Sequence, residues 1–149
     1  MDTKIAVAFA NIFIGAVESQ ILRHSVLKPL VCKRYIDYIF SIWNINKDEV
    51  TQFIEKANSH NPTIKFTAEV SDTDTAFLDT SVYKAEPFAN ESILDIKTHF
   101  KPAETFQYTH FSSCHPQGVK KGFIKGEALR VPRTNSSETM FKTAVSNLI

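Results

Sequence analysis

Arg34-Tyr35-Ile36-Asp37-Tyr38-Ile39-Phe40 sets one carboxylate between two short apolar runs. The surrounding segment, Leu30 to Trp43, is rich in β-branched and aromatic residues, and Pro29 closes the chain before it. A polar residue at the midpoint of such a run predicts a β-hairpin over about 31–43, with Asp37 at or near its tip. Two chemistries fit an aspartate there. Asp is common in turns, where its side chain bonds the local backbone. Phosphoryl transfer by two metal ions also needs carboxylates on a rigid element, holding ions roughly 4 Å apart. The local residues leave both open.

Upstream, Ile5, Phe9, Ile12, Phe13, Ala16 and Val17 recur at three- and four-residue steps and predict a helix over 3–22. Asp2 or Thr3 is placed to cap it, and Ala6, Ala8, Ala10 and Gly15 give it a small-residue surface. The apolar run Ile5–Val17 is too short for a membrane span. Met1 to Lys4 lacks the charge of a leader and Asn11 interrupts the run. A buried soluble helix, with no membrane partner, is therefore expected.

Downstream, Val50, Phe53, Ile54 and Ala57 predict a helix over 47–59, with Asn46 and Glu49 as a capping box. Asn61-Pro62 stops it. Ile64, Phe66, Ala68 and Val70 alternate with Lys65, Thr67 and Glu69, as in a half-buried strand. Two further runs, 76–83 and 93–100, flank a polar loop containing Pro87 and Asn90 and predict a second hairpin. The fold class expected is α+β, an antiparallel sheet backed by two helices.

The last third differs in character. Pro116 can open a helix running to about Leu129, with Val119, Phe123 and Ile124 inward. Gly118, Gly122 and Gly126 weaken that helix by about 1 kcal/mol each relative to Ala. Pro132 is expected to break the chain. Asn135-Ser136-Ser137 then offers a cap for a helix burying Phe141, Val145 and Leu148. Helix, short turn and helix outline a helix-turn-helix unit.

Composition bounds the function. The chain has 149 residues, enough for one core or one plus an appendage, and its 43% hydrophobic and 22% charged residues are those of a globular protein. Two cysteines make no disulfide framework, which points to an intracellular, nuclear or cytoplasmic setting. The net charge of +1 hides an asymmetry: residues 101–149 hold seven basic against three acidic side chains, leaving 1–100 with an acidic excess. Lys120, Lys121, Lys125, Arg130 and Arg133 could contact a phosphate backbone, with Phe106, Tyr108 and Phe111 stacking or packing nearby. The alternative is a solvated charged face over a core of aromatics.

Five stretches in order resemble the reverse transcriptases of Penelope-like retroelements. Met1 to Gly15 is similar to the template-contacting palm segment and helix, and Arg34 to Phe40 to the catalytic hairpin. Pro62 to Glu69 is similar to the next palm strand, Phe77-Leu78-Asp79-Thr80 to the primer-grip hairpin, and Lys101-Pro102 through Pro116 to the linker before a helical region. The resemblance implies a partial palm over 1–100, its primer-grip-like hairpin at about 76–100, and a thumb-like or helix-turn-helix region over 101–149. It implies Mg²⁺ as cofactor and DNA and RNA, as primer and template, as partners.

The departures bear on activity. The family hairpin carries two consecutive aspartates, and here Tyr38 stands at the second position. Asp2 and Val7 stand where the family has Gly and Pro. The family's other metal-binding aspartate belongs to an earlier palm strand, and its fingers also precede the matched residues. Asp37 is thus expected to be a remnant metal ligand. A lone carboxylate holds Mg²⁺ poorly, because the ion gives up its waters reluctantly. The expectation is an RNA-directed DNA polymerase by descent, inactive as this chain unless another chain supplies the missing half.

Other constellations are weaker. His99, His110, Cys114 and His115 do not have zinc-finger spacing, and neighbours such as Cys114 and His115 point apart on a strand. His24 and His60 are expected at helix ends. The four glycines form no phosphate-cradling loop.

Overall fold

The computed structural model describes residues 4–86, 88–104 and 110–148. Asp2 and Thr3, expected to cap the first helix, lie outside them, as do Phe106 and Tyr108. The chain is mixed α+β and divides into two compact units, Met1–Val70 and Ser71–Ile149.

In the first unit, α1 (Lys4–His24) is followed by a hairpin of β1 (Val31–Tyr35) and β2 (Tyr38–Ile42), then α2 (Lys47–His60). The hairpin register runs from Val31↔Ile42 to Tyr35↔Tyr38, leaving Ile36 and Asp37 as a two-residue turn. The capping box of α2 forms as its sequence requires. Asn46 Oδ1 accepts from Glu49 N at 2.9 Å, and Glu49 Oε2 accepts from Asn46 N at 3.2 Å. Val17, Val50, Phe53 and Ala57 are the buried apolar residues of this unit, with Trp43 against Phe53 at 4.8 Å between ring centroids.

Helix α1 departs from expectation. It is 21 residues long and lies largely exposed, with Ile5 at 78%, Phe9 at 69% and Ile12 at 73% accessibility. Apolar residues surround its amino-terminal turns on all sides, so no single packing surface could bury them. By length and composition Ile5–His24 suffices to cross a membrane, a weak signal that leader sequences and core helices share. The expected limit of thirteen apolar residues was too strict, because Glu18 is the only acidic residue from Ile5 to Leu22.

Residues 64–70 do not form the expected strand. Ile64 and Phe66 do turn inward while Lys65 and Thr67 face out, but among the described residues this segment joins neither sheet. The Asn58 side chain supplies the backbone bonds instead: its Oδ1 accepts from Phe66 N at 2.5 Å, and its Nδ2 donates to Phe66 O at 2.9 Å.

The second unit holds a three-stranded meander, β3 (Asp74–Phe77), β4 (Thr80–Tyr83) and β5 (Asp95–Thr98), with β4 central. The run 76–83, expected as one strand, therefore folds back at Leu78-Asp79, and the single expected sheet is two. A short α3 (Phe88–Glu91) precedes β5, and α4 (Gln117–Arg133) and α5 (Glu138–Ser146) follow it. Pro132 does not end α4 early. It sits in the last turn, one residue before the final helical position, where the amide it lacks removes a single bond. Val119 and Ile124, expected inward, are exposed, and Phe123 is at the exposed limit; Lys120 and Val131 are the buried residues of α4. Ser137 caps α5, accepting from Met140 N at 3.3 Å.

The turn between α4 and α5 is bonded to β5. Thr98 Oγ1 and Thr134 Oγ1 are 2.7 Å apart in a buried pair, and Asn135 Nδ2 donates to Thr98 Oγ1 at 2.7 Å. Ser136 N donates to Ile96 O at 2.9 Å, and Ile96 N to Ser136 Oγ at 3.0 Å. Residues 134–136 thus cover the outer edge of β5.

Candidate functional site

Asp37 stands in the two-residue turn at the end of the β1–β2 ribbon, exposed to solvent, and Tyr38 opens β2 beside it at 59% accessibility. The turn is strained. Ile36 has φ 54°, a left-handed conformation that a β-branched side chain rarely adopts.

Arg34 braces it. Nη1 donates to the carbonyl of Ile36 at 3.0 Å and to Asn11 Oδ1 at 2.8 Å. Nη2 donates to the main-chain carbonyl of Asn11 at 3.2 Å, and Nε to Glu18 Oε2 at 2.9 Å. The planar guanidinium therefore joins the strained turn to two successive levels of α1. Asn11 and Glu18 are seven residues apart, two helical turns, and so share a face. Sequence reasoning missed this pair. The available signal was two polar side chains at that spacing in an apolar helix.

Glu18 also receives a bond from the Cys32 thiol, Sγ to Oε1 at 3.5 Å. Burial, then this bond and the negative charge of Glu18, push the Cys32 thiol up to about 11. Cys32 is thus a protonated, unreactive thiol at neutral pH.

A pair of magnesium ions requires several carboxylates gathered together. Among the described residues no three His, Cys, Asp or Glu side chains are gathered in one place. Asp72, Asp74 and Asp79 belong to the other unit. Asp37 by itself offers Mg²⁺ a single carboxylate, fewer anionic ligands than the ion ordinarily takes.

Of the residues expected to be primer-grip-like, Phe77 ends β3, and Leu78 and Asp79 form the turn to β4. It repeats the first hairpin: Leu78, before the aspartate, has φ 56°. His99 N braces it, donating to Asp79 O at 2.9 Å, while Thr80 Oγ1 donates to Phe77 O at 2.9 Å.

The basic residues of α4 separate into two groups. Lys120 is 8% exposed, and its ammonium donates to the carbonyls of Phe111 and Ser113, with Phe111 beneath it at 5.5 Å. Arg130 is ion-paired with Glu127 at 2.7 Å and lies over the Phe100 ring at 5.6 Å. These two side chains of the expected phosphate-contacting set are engaged in bonds within the fold. Lys121, Lys125 and Arg133 remain exposed.

His24 and His60 lie side by side, 6.4 Å between ring centroids, and the other histidines bond serines. His99 Nδ1 lies 3.2 Å from the buried Ser81 Oγ, His110 bonds Ser112 and His115 bonds Ser113. His24 and His60 are the last residues of α1 and α2, as expected. No family model, curated protein or solved structure matches the chain.

Proposed function

We propose that this chain is a remnant of a reverse transcriptase palm of the Penelope-like kind, unable to polymerise alone. The observation that carries the proposal is Asp37 at the exposed tip of an antiparallel ribbon, braced by Arg34 on an apolar helix. An acidic ribbon tip fixed on a rigid support is what two-metal phosphoryl transfer uses. With Tyr38 in place of a second aspartate, and no group of three His, Cys, Asp or Glu side chains among the described residues, two metal ions have too few anionic ligands. Two-metal activity would need carboxylates at the tip beyond Asp37.

Primer extension on an RNA template with Mg²⁺ tests this. The expected result is no product from the chain. Extension that disappears on Asp37→Asn would overturn the claim of inactivity while keeping the descent. Extension that needs neither Mg²⁺ nor Asp37 would remove the support for both.

The exposure of Lys121, Lys125 and Arg133 supports a second reading, a non-catalytic module holding DNA or RNA through α4. These three align along one side of the helix with no acidic residue between them in that stripe. Binding would then weaken with salt and on neutralising Lys121 and Lys125, and would be indifferent to Asp37→Asn.

A further inference from the structure

We infer that Arg34 is a positioning residue for the Asp37 tip, and that it acts by holding the Ile36 carbonyl in a backbone conformation the turn would not keep by itself. Three observations converge. Ile36 is β-branched yet has φ 54°, so the turn sits away from its preferred geometry. Arg34 Nη1 bonds the very carbonyl that this conformation presents, and the same nitrogen is anchored on Asn11 of α1. The remaining guanidinium nitrogens are occupied by Glu18 and the Asn11 main chain, so the side chain is fixed at three points on one helix.

The geometry requires a guanidinium. Lysine offers one nitrogen and could keep the charge pairing with Glu18, but cannot reach Asn11 and the Ile36 carbonyl at the same time. A role that is only electrostatic is therefore rescued by lysine, and a positioning role is not.

The inference rests on the reading of Asp37 as the functional tip only for its significance, since the test observes the turn directly. Amide hydrogen exchange is measured on the full chain, comparing the wild type with Arg34→Lys and Asn11→Ala. In Arg34→Lys, the amides of Tyr35 and Tyr38, the pair that closes the turn, are expected to exchange about tenfold faster. The hydrogen-bonded pair at the ribbon's base, Val31 and Ile42, is expected to keep its protection. Asn11→Ala removes one anchor and leaves the Glu18 pair, so a smaller acceleration confined to the same two residues is expected. Wild-type exchange at Tyr35 and Tyr38 in Arg34→Lys overturns the inference. Should Arg34→Lys fail to fold, Asn11→Ala decides alone: local acceleration supports positioning, and unchanged exchange refutes it. Absence of primer extension in every variant bears on the proposed descent and leaves this result untouched.

Discussion

A methyl group on Gly15 would lie 3.2 Å from Arg34 Nη2. The small residue in α1 and the large one in β1 are thus a matched pair, the first making room for the fork of the second. Gly15→Ala gains about 1 kcal/mol of helix propensity. It also displaces a charge-assisted network whose bonds are worth about 1.5–3 kcal/mol each. The first unit is therefore expected to lose about 1 kcal/mol net, read as a lower urea midpoint with unchanged slope.

Cysteine chemistry separates the two thiols. Cys32 is half-buried with its thiol raised to about 11, while Cys114 is exposed. Iodoacetamide at pH 8 is expected to modify Cys114 and spare Cys32. Glu18→Gln removes the neighbouring negative charge and should speed labelling of Cys32. Equal rates at both cysteines would contradict the burial of Cys32.

The same thiol sets an alkaline limit. Because the folded state keeps the Cys32 proton from the ordinary value of 9.0 up to about 11, it binds more protons than the unfolded chain across that window. Stability from this group is fully present below pH 9 and declines as pH rises through the window. Cys32→Ser is expected to flatten that decline in a series of urea titrations.

Much of the backbone was legible in the residues, and the reasons are local. Asn46 and Glu49 satisfy each other's amides within one turn, so the start of α2 could be read directly. Asp37 at a hairpin tip was equally readable, since strand propensity and a polar interruption are both near-neighbour properties. What failed depended on partners far along the chain. Ile64 to Val70 alternates correctly yet pairs with no strand among the described residues, and Asn58 satisfies Phe66 instead. Lys120 has the composition of a solvated cation, but the carbonyls of Phe111 and Ser113 draw it inward. No composition rule signals such a buried lysine.

Lys120 can be told apart from its neighbours by stability. Lys120→Ala leaves two carbonyls without a donor, and the second unit is expected to lose about 2 kcal/mol. Lys121→Ala and Lys125→Ala should change stability by less than about 0.5 kcal/mol. Thermal melts of the three variants make the comparison, and equal losses would refute the burial of Lys120.

Thr98→Val should also be costly, about 1–3 kcal/mol, since it leaves the side chains of Thr134 and Asn135 short of a partner in a buried network. A melt that matches the wild type would show that the network forms only weakly.

Residues 134–136 occupy the hydrogen-bonding groups along β5, so the meander is blunted on one flank and β3 is its other outermost strand. Ordered stacking of this unit into fibrils would consequently proceed in one direction, by recruitment at β3. A proline placed there would halt growth without loosening the turn that seals the opposite side.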